Sequence, residues 1–158
     1  MKKIIKYILT LMVLPLILCG CNQEDDVFEI FASGTWRVNN YYTDCNWNNL
    51  AYKPGNPVFT AKDDLKTVNS FTVVFEEDGT MRGEIEGGTF TAIWSANPKD
   101  RSFSITNINA TISLSGKNAE FITRLKNVKF YQGDSNTMQL APQDKTTYIQ
   151  FNHRFISL

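Results

Sequence analysis

The stretch FTVVFEEDGTMRGEIEGGTFTAIWS, residues 71–95, limits the possible folds more than any other part of the chain. Phe71, Val73 and Phe75 fall on one face of an extended backbone, and Thr72, Val74 and Glu76 on the other. Asp78-Gly79 follows, a pair suited to the tight turn of a β-hairpin. Beyond it Met81, Gly83 and Ile85 alternate with Arg82, Glu84 and Glu86. Period-two alternation with charge on one side predicts half-buried antiparallel strands. Gly87-Gly88 turns the chain again, and Phe90, Ala92 and Trp94 continue the apolar face.

The same rhythm recurs along the chain. In GTWRV, Trp36 and Val38 point inward against Arg37 and Asn39. After the turn ANPKDR, Phe103, Ile105 and Ile108 mark another strand. VKFY and TMQL flank QGDSN, a third hairpin with Gly133-Asp134 in its turn, and TTYIQF closes the sheet. Short strands at such regular spacing predict a mainly β fold, an antiparallel up-and-down meander closed as a β-barrel or sandwich. The segment GKNAEFITRLKNV breaks the pattern. Phe121, Leu125 and Val128 have helical spacing, Glu120 and Arg124 lie four apart, and Asn118 sits where a cap belongs. One short α-helix is therefore predicted near 117–127, laid over an end or a face of the β-structure. Residues 44–69 show little periodicity, and so long a loop in a compact domain is functional or conceals an element.

The N-terminal stretch concerns address. Lys2, Lys3 and Lys6 open a segment that is apolar from Ile4 to Leu18 with few interruptions, and it is too short for a comfortable membrane span. Its end, Leu18-Cys19-Gly20-Cys21, resembles a bacterial lipobox. The resemblance makes residues 1–20 a lipoprotein signal peptide and Cys21 the lipidated first residue of the mature chain, with enough acyl chains for a stable anchor. Residues 21–32 read as an acidic tether, and 33–158 as a single β-barrel-like domain large enough for its own core. Acids directly after the cysteine also resemble the export tag of surface lipoproteins in some Gram-negative bacteria. The implied location is the outer membrane, lipid-anchored and facing the cell surface.

Charge and cysteines narrow the function. The chain has 16 basic and 16 acidic residues; removing Lys2, Lys3 and Lys6 leaves 13 against 16, a net charge near −3. A mildly acidic domain without a basic block argues against nucleic acid as a partner. Once Cys21 carries lipid, Cys45 has no partner for a disulfide, and it reads as a small, partly covered residue.

Catalytic signals are sparse. His153 is the only histidine, and it reads as a solvated or edge position. Glu76, Glu77 and Asp78 crowd one turn, while Glu84 and Glu86 share a strand face; paired carboxylates in a cleft could hydrolyse a glycoside, but a solvated face accounts for them more simply. No metal or cofactor motif is present, and no cofactor is implied. The aromatic residues Trp36, Tyr41, Tyr42, Trp47 and Tyr52 are mixed with asparagines, and such rings suit a sugar face or a partner protein. They form the candidate ligand-binding set, and the competing reading places them in the core.

The order GTWRV, the 71–95 hairpins, FSITNINATIS, the helix AEFITRLKNV and VKFYQGDSNTMQL resembles the META domain, a heat-shock-associated envelope family, and the related lipocalin-like lipoproteins of Gram-negative bacteria. That resemblance spans about residues 33–151. It implies a non-catalytic envelope lipoprotein, a binding or envelope-maintenance module, and it brings neither a disulfide nor catalytic residues. One alternative is a carrier of a small apolar ligand or glycan, held in the barrel interior or by the aromatic 41–59 loop. A second is a glycoside hydrolase. A carrier needs an unfilled interior, whereas a structural module fills it with Phe71, Phe75, Phe90, Trp94, Phe103 and Phe130. The implied partners are the membrane, through the anchor, and a small apolar ligand, a glycan or a surface protein.

Overall fold

A computed structural model of the chain describes residues 26–153. The expected signal peptide, Cys21 and residues 154–158 lie outside the described residues.

The described chain opens with helix α1 (Asp26–Phe31) and strand β1 (Thr35–Thr43). A 3-10 turn (Trp47–Asn49), a short strand β2 (Asn56–Pro57) and helix α2 (Lys62–Val68) follow. Then come β3 (Thr72–Phe75), β4 (Thr80–Ile85), β5 (Gly88–Asn97) and β6 (Ser102–Ala110). Helix α3 (Gly116–Asn127) precedes β7 (Val128–Gly133), β8 (Thr137–Pro142) and β9 (Thr147–His153). The order across the sheet is β2-β1-β3-β4-β5-β6-β7-β8-β9, all antiparallel, and β1 also pairs with β9. The sheet is thus a ring, the closed up-and-down β-structure that the alternation predicts. Closing it removes the exposed edges an open sheet would carry. β1 joins β9 from Trp36 opposite His153 to Thr43 opposite Thr147. The narrowest joint is β6 to β7, where Ser102 opposes Phe130 and Tyr131 N donates to Arg101 O at 3.0 Å.

The ring has two different ends. One end holds α1 and the turns around residues 76–79, 98–101 and 134–136. The other holds α2, α3, the 44–61 segment and the β8–β9 turn. Strand direction assigns each turn to its end, because every neighbouring pair runs antiparallel.

The N-terminal boundary differs from expectation. Residues 26–32 do not serve as tether: Asp26–Phe31 is helical, Val27 is buried and Phe31 is fully buried. Residues four apart share a helix face, so Val27 and Phe31 enter the core together. The Phe31 ring lies 5.0 Å from Phe75 and 5.0 Å from Phe103, and its carbonyl accepts from Trp36 Nε1 at 3.2 Å. The acids of 24–26 mask this helix in the sequence.

The interior is filled. Phe31, Trp36, Phe71, Phe75, Phe90 and Phe121 are at most 1% exposed, and Met81, Met138 and Phe151 complete the packing. Phe130 departs from the expected list. It lies half-buried on the outer side, beside Trp47, Ala141 and Tyr148. A register shift between Val128 and Phe130 is the cause: one extra residue moves a side chain to the opposite face and leaves Val128 and Tyr131 inside.

Helix α3 closes the second end with Phe121, Ile122 and Leu125 buried. Phe121 stacks on Phe71 at 5.1 Å. Asn118 does not cap it; Ser115 occupies the N-cap position. Asn118 instead clamps the β4–β5 turn, taking the Glu86 N–H at 3.2 Å and donating to the Glu86 carbonyl at 2.9 Å. Lys117 pairs with Asp64 at 2.7 Å and ties α3 to α2. Helix α2 is the element hidden in the aperiodic 44–69 stretch.

Candidate functional site

The five aromatic residues singled out in the sequence do not form one site. Trp36 and Tyr41 are fully buried inside the ring. Tyr42, the next residue along β1, faces outward and stacks on Tyr148 at 4.8 Å with an 8° tilt. Trp47 packs beside Tyr148 at 6.4 Å and is buried. Tyr52 alone is open to solvent, 83% exposed. Tyr42, Trp47 and Tyr148 therefore brace the 44–61 segment against β9, and Tyr148 Oη donates to the Pro54 carbonyl at 2.7 Å.

That bracing builds one wall of a cleft. Cys45 N donates to Thr146 O at 3.2 Å, and the Cys45 thiol reaches the Lys145 carbonyl at 3.5 Å. Asp144 Oδ1 accepts from Thr146 N at 3.1 Å and fixes the β8–β9 turn. Between this turn and the C-terminal half of α3 lies an open cleft of about 590 Å³. Its apolar lining includes Val128, Leu140, Pro142 and Ile149, and its polar lining includes Arg124 and Thr147. Leu140 and Ile149 face each other across β8 and β9. The cleft volume falls within the range of small-molecule sites.

Arg124 is the central charged group. Its Nε and Nη2 both donate to Glu120 Oε1, at 2.9 and 2.8 Å. Its guanidinium lies 4.4 Å from the centre of the Tyr41 ring. The Tyr41 hydroxyl is buried and has no hydrogen-bond partner. Burial, and then the nearby Glu120 carboxylate, push its pKa well above the usual tyrosine value, against the opposing pull of Arg124. The ring is thus held neutral beneath a cation. Sequence periodicity shows Arg124 only as the partner of Glu120; nothing in it places Val128, Leu140, Thr147 and Ile149 around the same space.

The remaining candidates stand apart. His153 Nε2 lies 2.8 Å from the Ser33 carbonyl, and the ring packs edge-on to Trp36 at 5.2 Å, at the α1 end of the ring. Cys45 is half-buried, and burial raises its thiol pKa, which disfavours the nucleophilic thiolate. Glu84 and Glu86 are exposed, and Glu76 pairs with Arg82 at 2.9 Å. Among the described residues no group of three or more His, Cys, Asp or Glu residues is placed to hold a metal. No described helix is long and apolar enough to cross a membrane.

The model of a domain of unknown function, DUF4847, matches residues 22–153. A DUF4847 family protein from Bacteroides vulgatus ATCC 8482, known by crystal structure, is 39% identical. The match has a TM-score of 0.72 and covers 81% of this chain and 97% of that one. The NMR structure of a protein from Burkholderia xenovorans is 12% identical with a TM-score of 0.55, over 84% of this chain and 88% of that one, a likeness of fold alone. No curated protein matches the chain. No META-domain family matches either, and the DUF4847 match overturns the resemblance to the META and lipocalin-like lipoproteins. That resemblance rests on the order of strands and a late helix, which unrelated up-and-down sheets can share.

Proposed function

This chain belongs to the DUF4847 family, a domain of unknown function, and on that premise we propose that it is a non-catalytic, lipid-anchored outer-membrane protein that binds a small amphipathic molecule in the cleft beside Arg124. The observation that carries the reading is a contrast. The ring interior is packed with aromatic side chains, whereas the cleft between α3 and the β8–β9 turn stands open beside it. A ligand therefore meets its polar and apolar contacts at the end of the barrel and leaves the core intact.

The lining suggests the ligand class. Pro142 and the Thr147 methyl offer the accessible apolar surface for a hydrocarbon or ring body, with the buried Val128, Leu140 and Ile149 packed behind them. Both hydrogen bonds of Arg124 use Nε and Nη2, which leaves Nη1 for a carboxylate, phosphate or hydroxyl head group. The anchor reading rests on Cys21 and the lipobox pattern before it. The first described residue, Asp26, follows within a few residues, which suits a domain held close to a membrane.

Native mass spectrometry of the protein, purified gently from an exporting host, tests the binding reading. A small excess mass that is lost on denaturation, and lost in Thr147→Arg where the new side chain fills the cleft, is the expected result. A wild-type mass equal to the processed polypeptide and its lipid would defeat the ligand claim.

A further inference from the structure

We infer that the α1 end of the barrel faces the bilayer and the Arg124 cleft opens away from it, an orientation that rests on the reading of Cys21 as the anchor. Asp26 follows Cys21 by five residues, and five residues span at most about 18 Å when fully extended. The start of α1 is therefore held within that distance of the lipid. Helix α1 itself is fixed to the barrel, because Val27 and Phe31 are buried in the core and the Phe31 carbonyl takes the Trp36 indole N–H. The anchor thus reaches one end of the ring and no other.

Strand length sets the distance to the other end. β5 runs ten residues from Gly88 to Asn97, about 33 Å along the strand and about 25 Å along the axis at an ordinary barrel tilt. The cleft, α3 and the exposed Tyr52 sit at that distal end, where soluble ligands and partners arrive.

The surface at the α1 end keeps the domain above the head-group layer. It carries Glu29, Glu77, Asp78, Asp100 and Asp134 against Lys99 and Arg101. Turn N–H groups and hydroxyls hold Asp78, Asp100 and Asp134 below the usual carboxylate range, so they stay charged. Anionic lipid phosphates repel such a rim. Phe28, half exposed and edge-on to Trp94 at 6.2 Å, is the apolar contact that this end offers. The α1 end accordingly faces the bilayer because of its short link to the anchor, and the acidic rim keeps it from inserting.

Vesicles of phosphatidylethanolamine and phosphatidylglycerol carrying a head-group nitroxide provide the test. The full, lipidated chain with Cys45→Ser takes a fluorophore at Glu77→Cys, in a turn of the α1 end, or at Lys66→Cys, on α2. Ser135→Cys and Lys126→Cys provide a second pair of opposite ends if a first-pair variant does not fold. The nitroxide should quench the α1-end dye several-fold more than the distal dye. Equal or reversed quenching, with lipid on Cys21 confirmed by mass, overturns the orientation alone. A mature N-terminus without lipid on Cys21 overturns the anchor reading and the orientation with it.

Discussion

The guanidinium of Arg124 lies 4.4 Å from the centre of the Tyr41 ring and gives both of its hydrogen bonds to Glu120, and the buried Tyr41 hydroxyl has no partner. The ring contributes through its face, and its oxygen gains nothing in return for lost hydration. Leaving a buried polar group unpaired costs about 1–3 kcal/mol. Tyr41→Phe keeps the ring under Arg124 and removes that cost. The variant should be more stable than wild type by about 1 kcal/mol, read from chemical denaturation at neutral pH. A loss of more than that amount would mean that the hydroxyl has a partner.

Alkali should unfold the protein by a route that runs through two tyrosines. Burial, then Tyr42 and Cys45, push Tyr148 up to about 12, and burial with Glu120 pushes Tyr41 up as well. Unfolded tyrosines ionise near 10. The folded state holds these protons longer, so unfolding releases them above pH 10. Stability from this source is intact below pH 10 and falls as pH rises from about 10 toward about 12. Tyr41→Phe should flatten that fall in denaturation series run from pH 9 to 12; an unchanged slope would remove Tyr41 from the account.

The α1 helix belongs to the core. Phe31 is fully buried among Phe75, Trp94, Phe103 and Tyr131, and Phe28 on the same helix is half exposed. Phe31→Ala should cost about 3–5 kcal/mol. Phe28→Ala should cost less than about 1 kcal/mol. Similar, small losses for both would return residues 26–32 to the role of a tether.

Gly83 is a packing requirement of the β4–β5 pair. A Cβ at that position would overlap the Phe90 ring and approach the Thr72 carbonyl to 2.6 Å. Gly83→Ala should destabilise the protein by about 1–3 kcal/mol, the usual cost of overpacking a tight core. Gly87→Ala, with open space around its Cβ but a φ of +77°, should cost about 1 kcal/mol from backbone strain alone. Thermal melts of the pair separate crowding from strain.

Much of the fold was legible because its signals are local. Alternation across 71–95 places Phe71, Phe75, Phe90 and Trp94 inside, where they are found. The Asp78-Gly79 turn follows from glycine chemistry, and the phases of Phe121 and Leu125 reveal α3. What the sequence hides is of two kinds. A single bulge in β7 sends Phe130 outward, and no pattern of apolar letters announces a register shift. Sites made of distant segments are hidden as well: Arg124, Leu140 and Ile149 meet only once β8 and β9 pair and α3 folds over the end of the ring. The aromatic and asparagine-rich 41–59 stretch looks like a binding loop by composition. Its rings mostly brace the backbone, because Tyr42 and Trp47 pack against Tyr148 and Tyr41 turns inward.

Methyl NMR with decanoate as an amphipathic anionic probe tests the central claim most directly. Binding in the cleft predicts concentration-dependent shifts at the partly exposed Thr147 methyl, smaller ones at Val128, Leu140 and Ile149 buried directly behind it, none at Val73 or Met81 on the far side of the core, and weaker binding in Arg124→Met. Shifts confined to Val73 and Met81, or no shifts at all, would contradict a filled core with an open binding cleft at its end.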